Sequence, residues 1–233
     1  MNKYFHQPVI ILGGFFIKSN AYNEMAAYIN SRTNNKVVII PVKKIEWLTT
    51  NWSFGWQIIL DRVASVVREL STESSSNKVT LIGHSSGGMI LRLFLSDLIF
   101  NGKIYNGREY ANCLITLGTP NQAKRATYLR NLVSSNLPGS FYSQDVNYIS
   151  VGGELDLKGP IASKTSLRLS KSSYRALNGE GNVMGDGLVP KDSALLIGSK
   201  HIVMRETAHG KTFGKDWYGS VNKVEEWFNK ASC

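Results

Sequence analysis

Residues Val79 to Ile90 read VTLIGHSSGGMI, an apolar run followed by a glycine-rich turn and the start of an amphipathic segment. Ser85 lies at the centre of a Gly-x-Ser-x-Gly pattern, in which glycines on both sides permit a sharp turn from a strand into a helix. Such a turn would project the Ser85 hydroxyl above a sheet, with the backbone N–H of Ser86 directed at any oxyanion formed there. The pattern alone arises by chance in roughly a fifth of chains this rich in Gly and Ser, so the surrounding segments decide the role of Ser85.

Short apolar runs rich in β-branched residues recur along the chain. Most are continuously apolar rather than alternating, which is typical of strands covered on both faces. Amphipathic segments lie between them, and this alternation predicts an α/β fold with a mostly parallel, doubly wound sheet and helices on both faces. The strands are predicted at 9–12, 36–42, 78–83, 112–118, 146–153 and 201–206.

Apolar residues spaced i, i+3, i+4 and i+7 mark the predicted helices. These helices run from Tyr22 to Ile29, from Trp56 to Leu70, from near Gly87 to a stop at Asn101-Gly102, and from Trp217 to Phe228. Residues 154–185 lack a clear period and are predicted to form a long loop. No linker-like segment divides the chain, so we expect one domain over 1–233, with at most a small lid formed by residues 121–145.

A serine hydroxyl attacks a carbonyl only when a base removes its proton and a carboxylate orients that base. His209 is the candidate base, because it follows the last predicted strand in ETAHGKTFG and can lean over the strand ends towards Ser85. The GKT in this segment is not a phosphate-binding loop, since Arg205 occupies the position of the required glycine.

Two aspartates follow predicted strands and could orient His209. Asp186 in MGDGLVP is preferred, because Gly185 and Gly187 permit an exposed turn that presents the carboxylate. Asp156 in VGGELD remains an alternative, because α/β sheets can also deliver the acid after an earlier strand.

The motifs GHSSGG, TLGTPN and GDGLVP, followed by a histidine after the last strand, resemble the small lipase/esterase branch of the α/β-hydrolase superfamily. The resemblance covers nearly the whole chain from Val9 onward and implies a sheet of about six strands. It implies that Ser85 is the nucleophile, Asp186 the acid and His209 the base. It also implies an oxyanion hole formed by Ser86 and by a residue of ILGGFF, for which we assign Phe15, with Gly14 as the alternative.

Several aromatic residues lie in segments expected after strand ends and could line an acyl-binding cleft. We expect Phe16, Trp47 and Tyr142 to contact substrate, with Trp52 and Trp56 as further candidates. Packing in the core is an equally strong alternative for each of them, because aromatic side chains dominate core burial in all folds.

The composition is that of a globular protein, with 42% hydrophobic and 19% charged residues. The net charge of +10 favours contact with anions, and transient contact with an anionic membrane surface is one expectation. Nucleic-acid binding is not expected, because no basic run alternates with aromatic residues. The apolar run before Gly13 is too short for a signal peptide, so we expect a cytoplasmic location.

These features predict a carboxylic ester hydrolase that forms an acyl-enzyme on a small ester or lipid. No metal or organic cofactor is expected, because the chain lacks a clustered Cys/His ligand set. An acyltransferase or thioesterase using the same triad is the first alternative. A binding protein that keeps the fold without turnover is the second, since fold does not determine function.

Overall fold

The computed structural model describes residues 6–124 and 126–231, and in these residues six parallel strands form one sheet. The predicted strands are all present: β1 has the predicted bounds, and the ends of the others differ by one to three residues. The order across the sheet is β2-β1-β3-β4-β5-β6, with the strands β1 (Val9–Leu12), β2 (Val37–Ile39), β3 (Val79–His84), β4 (Ala111–Leu117), β5 (Asn147–Glu154) and β6 (Lys200–Arg205).

Helices cover both faces of the sheet, as predicted. They are α1 (Asn23–Thr33), α2 (Lys44–Thr49), α3 (Ser53–Thr72), α4 (Ser86–Leu95), α5 (Tyr128–Asn136), α6 (Lys164–Asn178), α7 (Lys191–Ala194) and α8 (Val221–Ala231). Along β1, Ile10 and Leu12 face a core shared with α3 and α4, whereas Val9 and Ile11 face a core shared with α1 and α8. No helix within the described ranges is long and apolar enough to cross a membrane.

The site of interest lies where the winding of the sheet changes direction. The chain passes from β1 to β2 by way of α1 on one face, and from β2 to β3 by way of α3 on the other. Loops after β1 and β3 therefore diverge at their carboxyl ends and leave a crevice, the usual ligand site of such sheets.

The helix after Ser85 is shorter than predicted. α4 ends at Leu95, because Ser96 adopts an extended conformation and its hydroxyl donates to the Leu93 carbonyl at 2.8 Å. Asn101 and Gly102, predicted as the helix stop, form a separate turn with positive φ at both residues.

The C-terminal helix also begins later than predicted. α8 starts at Val221, so Trp217 precedes it, although the indole is buried as its apolar character indicates. Trp217 packs edge-on against the rings of Tyr22 and His84 instead.

The prediction of a long loop over 154–185 is wrong, because α6 occupies its centre. The Ser163 hydroxyl caps the helix by accepting from the Ser166 N–H at 3.1 Å, and Gly179 ends it in the left-handed conformation with φ of 82°. The buried face of α6 consists of Ser166, Ser170 and Tyr174, spaced four residues apart. Serine is not counted as apolar, so the spacing of apolar residues in this segment does not show the helical period.

Candidate active site

Ser85 occupies a tight turn between β3 and α4. Its φ of 53° and ψ of −125° lie in a region that a residue with a side chain rarely adopts, and its N–H donates to the Leu117 carbonyl at 2.9 Å. Close packing around the turn explains its glycines, because a Cβ atom on Gly83 would lie 2.4 Å from the Gly88 Cα. The Ser85 side chain is thereby held at the carboxyl end of β3.

His209 joins Ser85 to Asp186 by hydrogen bonds on its two ring nitrogens. The distances are 2.9 Å from Nε2 to the Ser85 Oγ and 2.8 Å from Nδ1 to the Asp186 Oδ2. The His209 backbone N–H also donates to the Asp186 carbonyl at 2.8 Å, so the two loops are locked together. The structure therefore brings together the three residues assigned from sequence, and all three are buried.

The Asp186 carboxylate accepts four hydrogen bonds. Oδ1 accepts from the backbone N–H groups of Leu188 and Val189 at 3.0 and 2.7 Å, and Oδ2 accepts from His209 and from the Tyr218 hydroxyl at 2.9 Å. Burial and the nearby Asp186 charge raise the pKa of Tyr218 well above its usual value, so this hydroxyl stays protonated. These four donors hold the buried carboxylate in place, so that its Oδ2 orients the imidazole.

The alternative acid, Asp156, lies in a different environment. Its side chain is exposed, and its Oδ1 accepts from the backbone N–H of Lys158 at 2.9 Å, as in an ordinary turn. The structure pairs His209 with Asp186 and not with Asp156.

A chain of buried hydrogen bonds links the loop after β1 to the loop that carries His209. His84 Nε2 lies 2.8 Å from the His209 carbonyl, which can only accept, so Nε2 carries the proton. His84 Nδ1 then accepts from the Tyr22 hydroxyl at 2.8 Å, and the Tyr22 oxygen accepts from the Gly14 N–H at 2.8 Å. Burial and the adjacent His209 hold the pKa of His84 well below its usual value, which keeps the ring neutral.

Two backbone N–H groups beside Ser85, those of Phe15 and Ser86, are available to an oxyanion. The Gly14 N–H donates to the Tyr22 hydroxyl, which favours Phe15 over Gly14 as the oxyanion donor from the loop after β1. Gly14 itself packs tightly on the nucleophile, since a Cβ atom there would lie 2.8 Å from the Ser85 Cβ. Within the described ranges, neither the Phe15 N–H nor the Ser86 N–H has an acceptor. Ser86 is also the first residue of α4, whose positive dipole end favours negative charge at this point.

Two cavities open beside the nucleophile. The larger, of about 440 Å³, is lined by Ser85 and His209 together with Phe15 and Phe16. The smaller, of about 120 Å³, is lined by Phe15 and Ser86 together with Trp47 and Trp56. The candidates Phe16 and Trp47 therefore lie at the site, whereas Trp52 is exposed and stacks on Phe54.

Tyr142, the third candidate for substrate contact, is not brought to the site. Its hydroxyl donates to the Asp97 Oδ1 at 2.9 Å, and the Arg108 guanidinium lies 4.5 Å from its ring centroid. Tyr142 precedes β5 by a few residues, so it lies near the amino ends of the strands, whereas the crevice is at their carboxyl ends. It lines neither cavity described above.

Three residues at the site carry no sequence signal. A sequence pattern does not distinguish Tyr22 and Tyr218 from aromatic residues of the core. Arg130 lies on α5, within the segment expected to form a small lid, and lines both cavities. Its position could be found only once the fold placed α5 over the crevice.

A six-stranded parallel sheet of this order, with a strained serine after β3 and a histidine after the last strand, has the α/β-hydrolase fold that the sequence motifs imply. Solved structures bear out this fold. The product of the gene lin2722 from Listeria innocua aligns over 95% of this chain and 92% of its own, with a TM-score of 0.55 and 14% identity.

A second similar structure is an alpha-beta serine hydrolase homologue from Coxiella burnetii. It aligns over 99% of this chain and 84% of its own, with a TM-score of 0.52 and 14% identity. No protein-family model matches the sequence, and neither does any curated protein.

Proposed function

We propose that this protein is a serine hydrolase that cleaves carboxylic esters through an acyl-enzyme intermediate. The observation that carries the proposal is the continuous hydrogen-bonded series Asp186, His209, Ser85, which opens on a cavity of about 440 Å³. The N–H groups of Phe15 and Ser86, which have no acceptor among the described residues, support it, because ester cleavage needs donors for the oxyanion.

In the first half of the reaction, His209 Nε2 takes the proton of Ser85 while the serine Oγ attacks the ester carbonyl carbon. The carbonyl oxygen becomes an oxyanion that accepts from the N–H groups of Phe15 and Ser86. When the tetrahedral intermediate collapses, the bond to the alcohol oxygen breaks and His209 gives its proton to the leaving alcohol.

In the second half, water replaces the alcohol. His209 takes a proton from the water, whose oxygen attacks the acyl carbon on Ser85, and the acid leaves as the proton returns to the serine. Asp186 accepts from His209 Nδ1 throughout and stabilises the imidazolium formed in each half.

Labelling by a fluorophosphonate probe and turnover of short p-nitrophenyl esters test this proposal. Wild type should be labelled and should hydrolyse the ester, Ser85→Ala should do neither, and the exposed Ser172→Ala should match wild type. Equal labelling of wild type and Ser85→Ala would overturn the proposal. Release of free acid in the presence of added alcohols and thiols separates hydrolysis from acyl transfer.

We also propose that an anionic lipid surface presents the substrate. Five apolar side chains around α2 and the start of α3 are between 41% and 63% exposed: Ile45, Leu48, Trp52, Phe54 and Ile58. Trp47 and Trp56, which lie in the same segment, line the smaller cavity. Lys43 and Lys44 adjoin this apolar surface, and the net charge of +10 favours anionic headgroups.

We also propose that the protein is located in the cytoplasm, where free thiols such as that of Cys113 stay reduced. The Cys113 thiol is free and buried, and burial raises its pKa to about 12, which makes it an inert thiol. Cys233, the other cysteine, lies outside the described residues. Cell fractionation of the tagged full chain tests the location.

A further inference from the structure

We infer that the ester substrate carries an anionic group, a carboxylate or a phosphate, which Arg130 binds beside the nucleophile. The inference rests on the proposed ester hydrolysis and adds a substrate class to it. It depends on the position of Arg130, on the charges that line the crevice, and on the absence of a carboxylate partner for Arg130 among the described residues.

Arg130 lies next to the group that would stabilise the oxyanion. Its Nη2 donates to the Ser86 Oγ at 3.2 Å, and the backbone N–H of Ser86 faces the reacting carbonyl in the proposed mechanism. Arg130 also lines both the larger and the smaller cavity. If Arg130 binds the anionic group of the substrate, only a few covalent bonds of the substrate would separate that group from the ester carbonyl.

No carboxylate pairs with Arg130 in the part of the chain that the structure describes. Its one hydrogen-bond partner there is the neutral Ser86 hydroxyl, which leaves most of its N–H donors unused. Burial lowers the pKa of Arg130, which reflects the cost of holding a charge away from water. Such a charge is stabilised when an anion binds, because attraction is stronger in a poorly solvated crevice than in water.

Arg92, a buried arginine, provides a contrast. Arg92 donates to carbonyl oxygens of Asn121 and Leu137, so its role in holding α4 against neighbouring loops is structural. Arg130 makes no such contact with backbone carbonyls in the described residues. Its guanidinium is available to a ligand in the crevice, whereas that of Arg92 is not.

The charged side chains that line the larger cavity are basic. Lys18 and Lys211 line it together with Arg130, and no aspartate or glutamate of the described ranges does so. Lys211 lies 3.6 Å from Glu24 in an exposed ion pair, which water and salt weaken. Phe15, Phe16 and Phe213 supply apolar surface in the same cavity, so it suits a molecule that has both a hydrocarbon part and an anion.

Two pairs of esters test the inference. The mono-p-nitrophenyl ester of glutaric acid against p-nitrophenyl pentanoate places a carboxylate in the acyl part. A lysophosphatidate against the monoacylglycerol of the same chain length places a phosphate in the alcohol part. The ratio of kcat/KM within each pair is measured for wild type, Arg130→Gln, Arg130→Lys and Arg168→Gln, the last an exposed arginine on α6.

Wild type should prefer the anionic member of at least one pair by about tenfold or more, because charged hydrogen bonds are the strong ones. Arg130→Gln keeps a donor for Ser86 but should bring the ratio close to one. Arg130→Lys should keep part of the preference, and Arg168→Gln should keep all of it. The pair that shows the preference identifies whether a carboxylate or a phosphate is bound.

A readout without turnover makes the outcome independent of the chosen esters. Glutarate or inorganic phosphate should slow fluorophosphonate labelling of Ser85 in wild type and Arg168→Gln, but not in Arg130→Gln. No preference in either pair together with no protection by either anion would overturn the inference. Protection that survives in Arg130→Gln would overturn it as well. Absence of labelling in wild type would instead reject the proposed ester hydrolysis itself.

Discussion

The Tyr218 hydroxyl donates to the same Asp186 oxygen that accepts from the catalytic candidate His209, at 2.9 Å. Tyr218 lies just before α8, far along the chain from the turn that presents Asp186. The carboxylate is therefore fixed from two directions, by its own turn and by the C-terminal segment. Orientation of the imidazole depends on both.

We expect Tyr218→Phe to lower the free energy of unfolding by about 1–3 kcal/mol, because a buried carboxylate oxygen loses a donor that water cannot replace. Chemical denaturation monitored by tryptophan fluorescence measures the change. Tyr128→Phe is the matched control, since that ring is 79% exposed. Equal stability of Tyr218→Phe and the control would contradict the expectation.

Asp186→Asn should lower kcat on a p-nitrophenyl ester by about 10⁴-fold while the protein stays folded. If the amide oxygen keeps the N–H groups of Leu188 and Val189, the amide nitrogen faces His209 and drives the imidazole to the wrong tautomer. The ring then carries its proton towards Ser85 and cannot act as a base.

Asp156→Asn is the control for this substitution, and its turnover should match wild type. Steady-state kinetics on purified, folded variants separate the two aspartates. Near-normal turnover by Asp186→Asn, with a large loss in Asp156→Asn, would transfer the acid role to Asp156.

The strands and the turn at Ser85 could be predicted from sequence because each depends on local features. Strands buried on both faces must be continuously apolar, and a strained turn must have small neighbours. The choice of Asp186 depended on its flanking glycines, and the structure explains this, since Gly187 has a φ of 95° that favours glycine.

The features that sequence could not supply depend on long-range contacts. Tyr142 was expected at the crevice, but it precedes the predicted strand at 146–153, a position that in a parallel sheet lies at the amino ends of the strands. Arg130 is the converse case, since nothing near it in sequence indicates a cation aimed at Ser86. α6 was missed because two of the three residues on its buried face, Ser166 and Ser170, are serines.

Replacing exposed apolar residues near the smaller cavity should weaken binding to lipid vesicles. We expect Trp52→Ser with Phe54→Ser to lower partitioning onto vesicles of anionic phospholipid by about tenfold or more, because apolar surface no longer enters the interface. Co-sedimentation measures the bound fraction. Ile99→Ser with Ile104→Ser is the matched control, since both side chains are exposed between α4 and β4, away from the smaller cavity.

Two outcomes would remove the lipid proposal. One is equal partitioning of the wild type and the Trp52 and Phe54 variant. The other is equal binding of wild type to neutral and anionic vesicles at low salt, because a net charge of +10 should strengthen binding to the anionic vesicles under that condition.

Tyr22 should act as a positioning residue for the oxyanion hole. In Tyr22→Phe the Gly14 N–H and the His84 Nδ1 lose their shared partner, so the loop that carries Phe15 is no longer held. We expect kcat to fall about tenfold to a hundredfold with KM little changed, because a displaced oxyanion donor acts on the transition state.

Steady-state kinetics on a p-nitrophenyl ester give the split between kcat and KM for Tyr22→Phe. Tyr128→Phe again serves as the control. A purely structural role for Tyr22 would lower the amount of active protein, and hence the labelled fraction of Ser85, without changing kcat per labelled site. That result would contradict a positioning role.

The neutral His84 should make stability depend on pH. Its pKa in the folded protein is well below the usual value of 6.5, so the unfolded chain binds a proton that the folded protein rejects. As pH falls below about 6.5, the free energy of unfolding should therefore drop by up to about 1.4 kcal/mol for each pH unit, until the folded pKa is reached. Above that range this contribution is constant.

Denaturation curves at pH 7.5 and at steps down to about pH 5 measure this slope, within the range where an unperturbed histidine titrates. In the folded protein, the rings of Tyr22, His209, Trp217 and Tyr218 enclose the His84 imidazole. His84→Gln should flatten the slope, because the unfolded chain then has no imidazole at this position to take up a proton. His201→Gln replaces an exposed histidine and should leave the slope as in wild type. A slope that persists in His84→Gln would assign the acid sensitivity to another group.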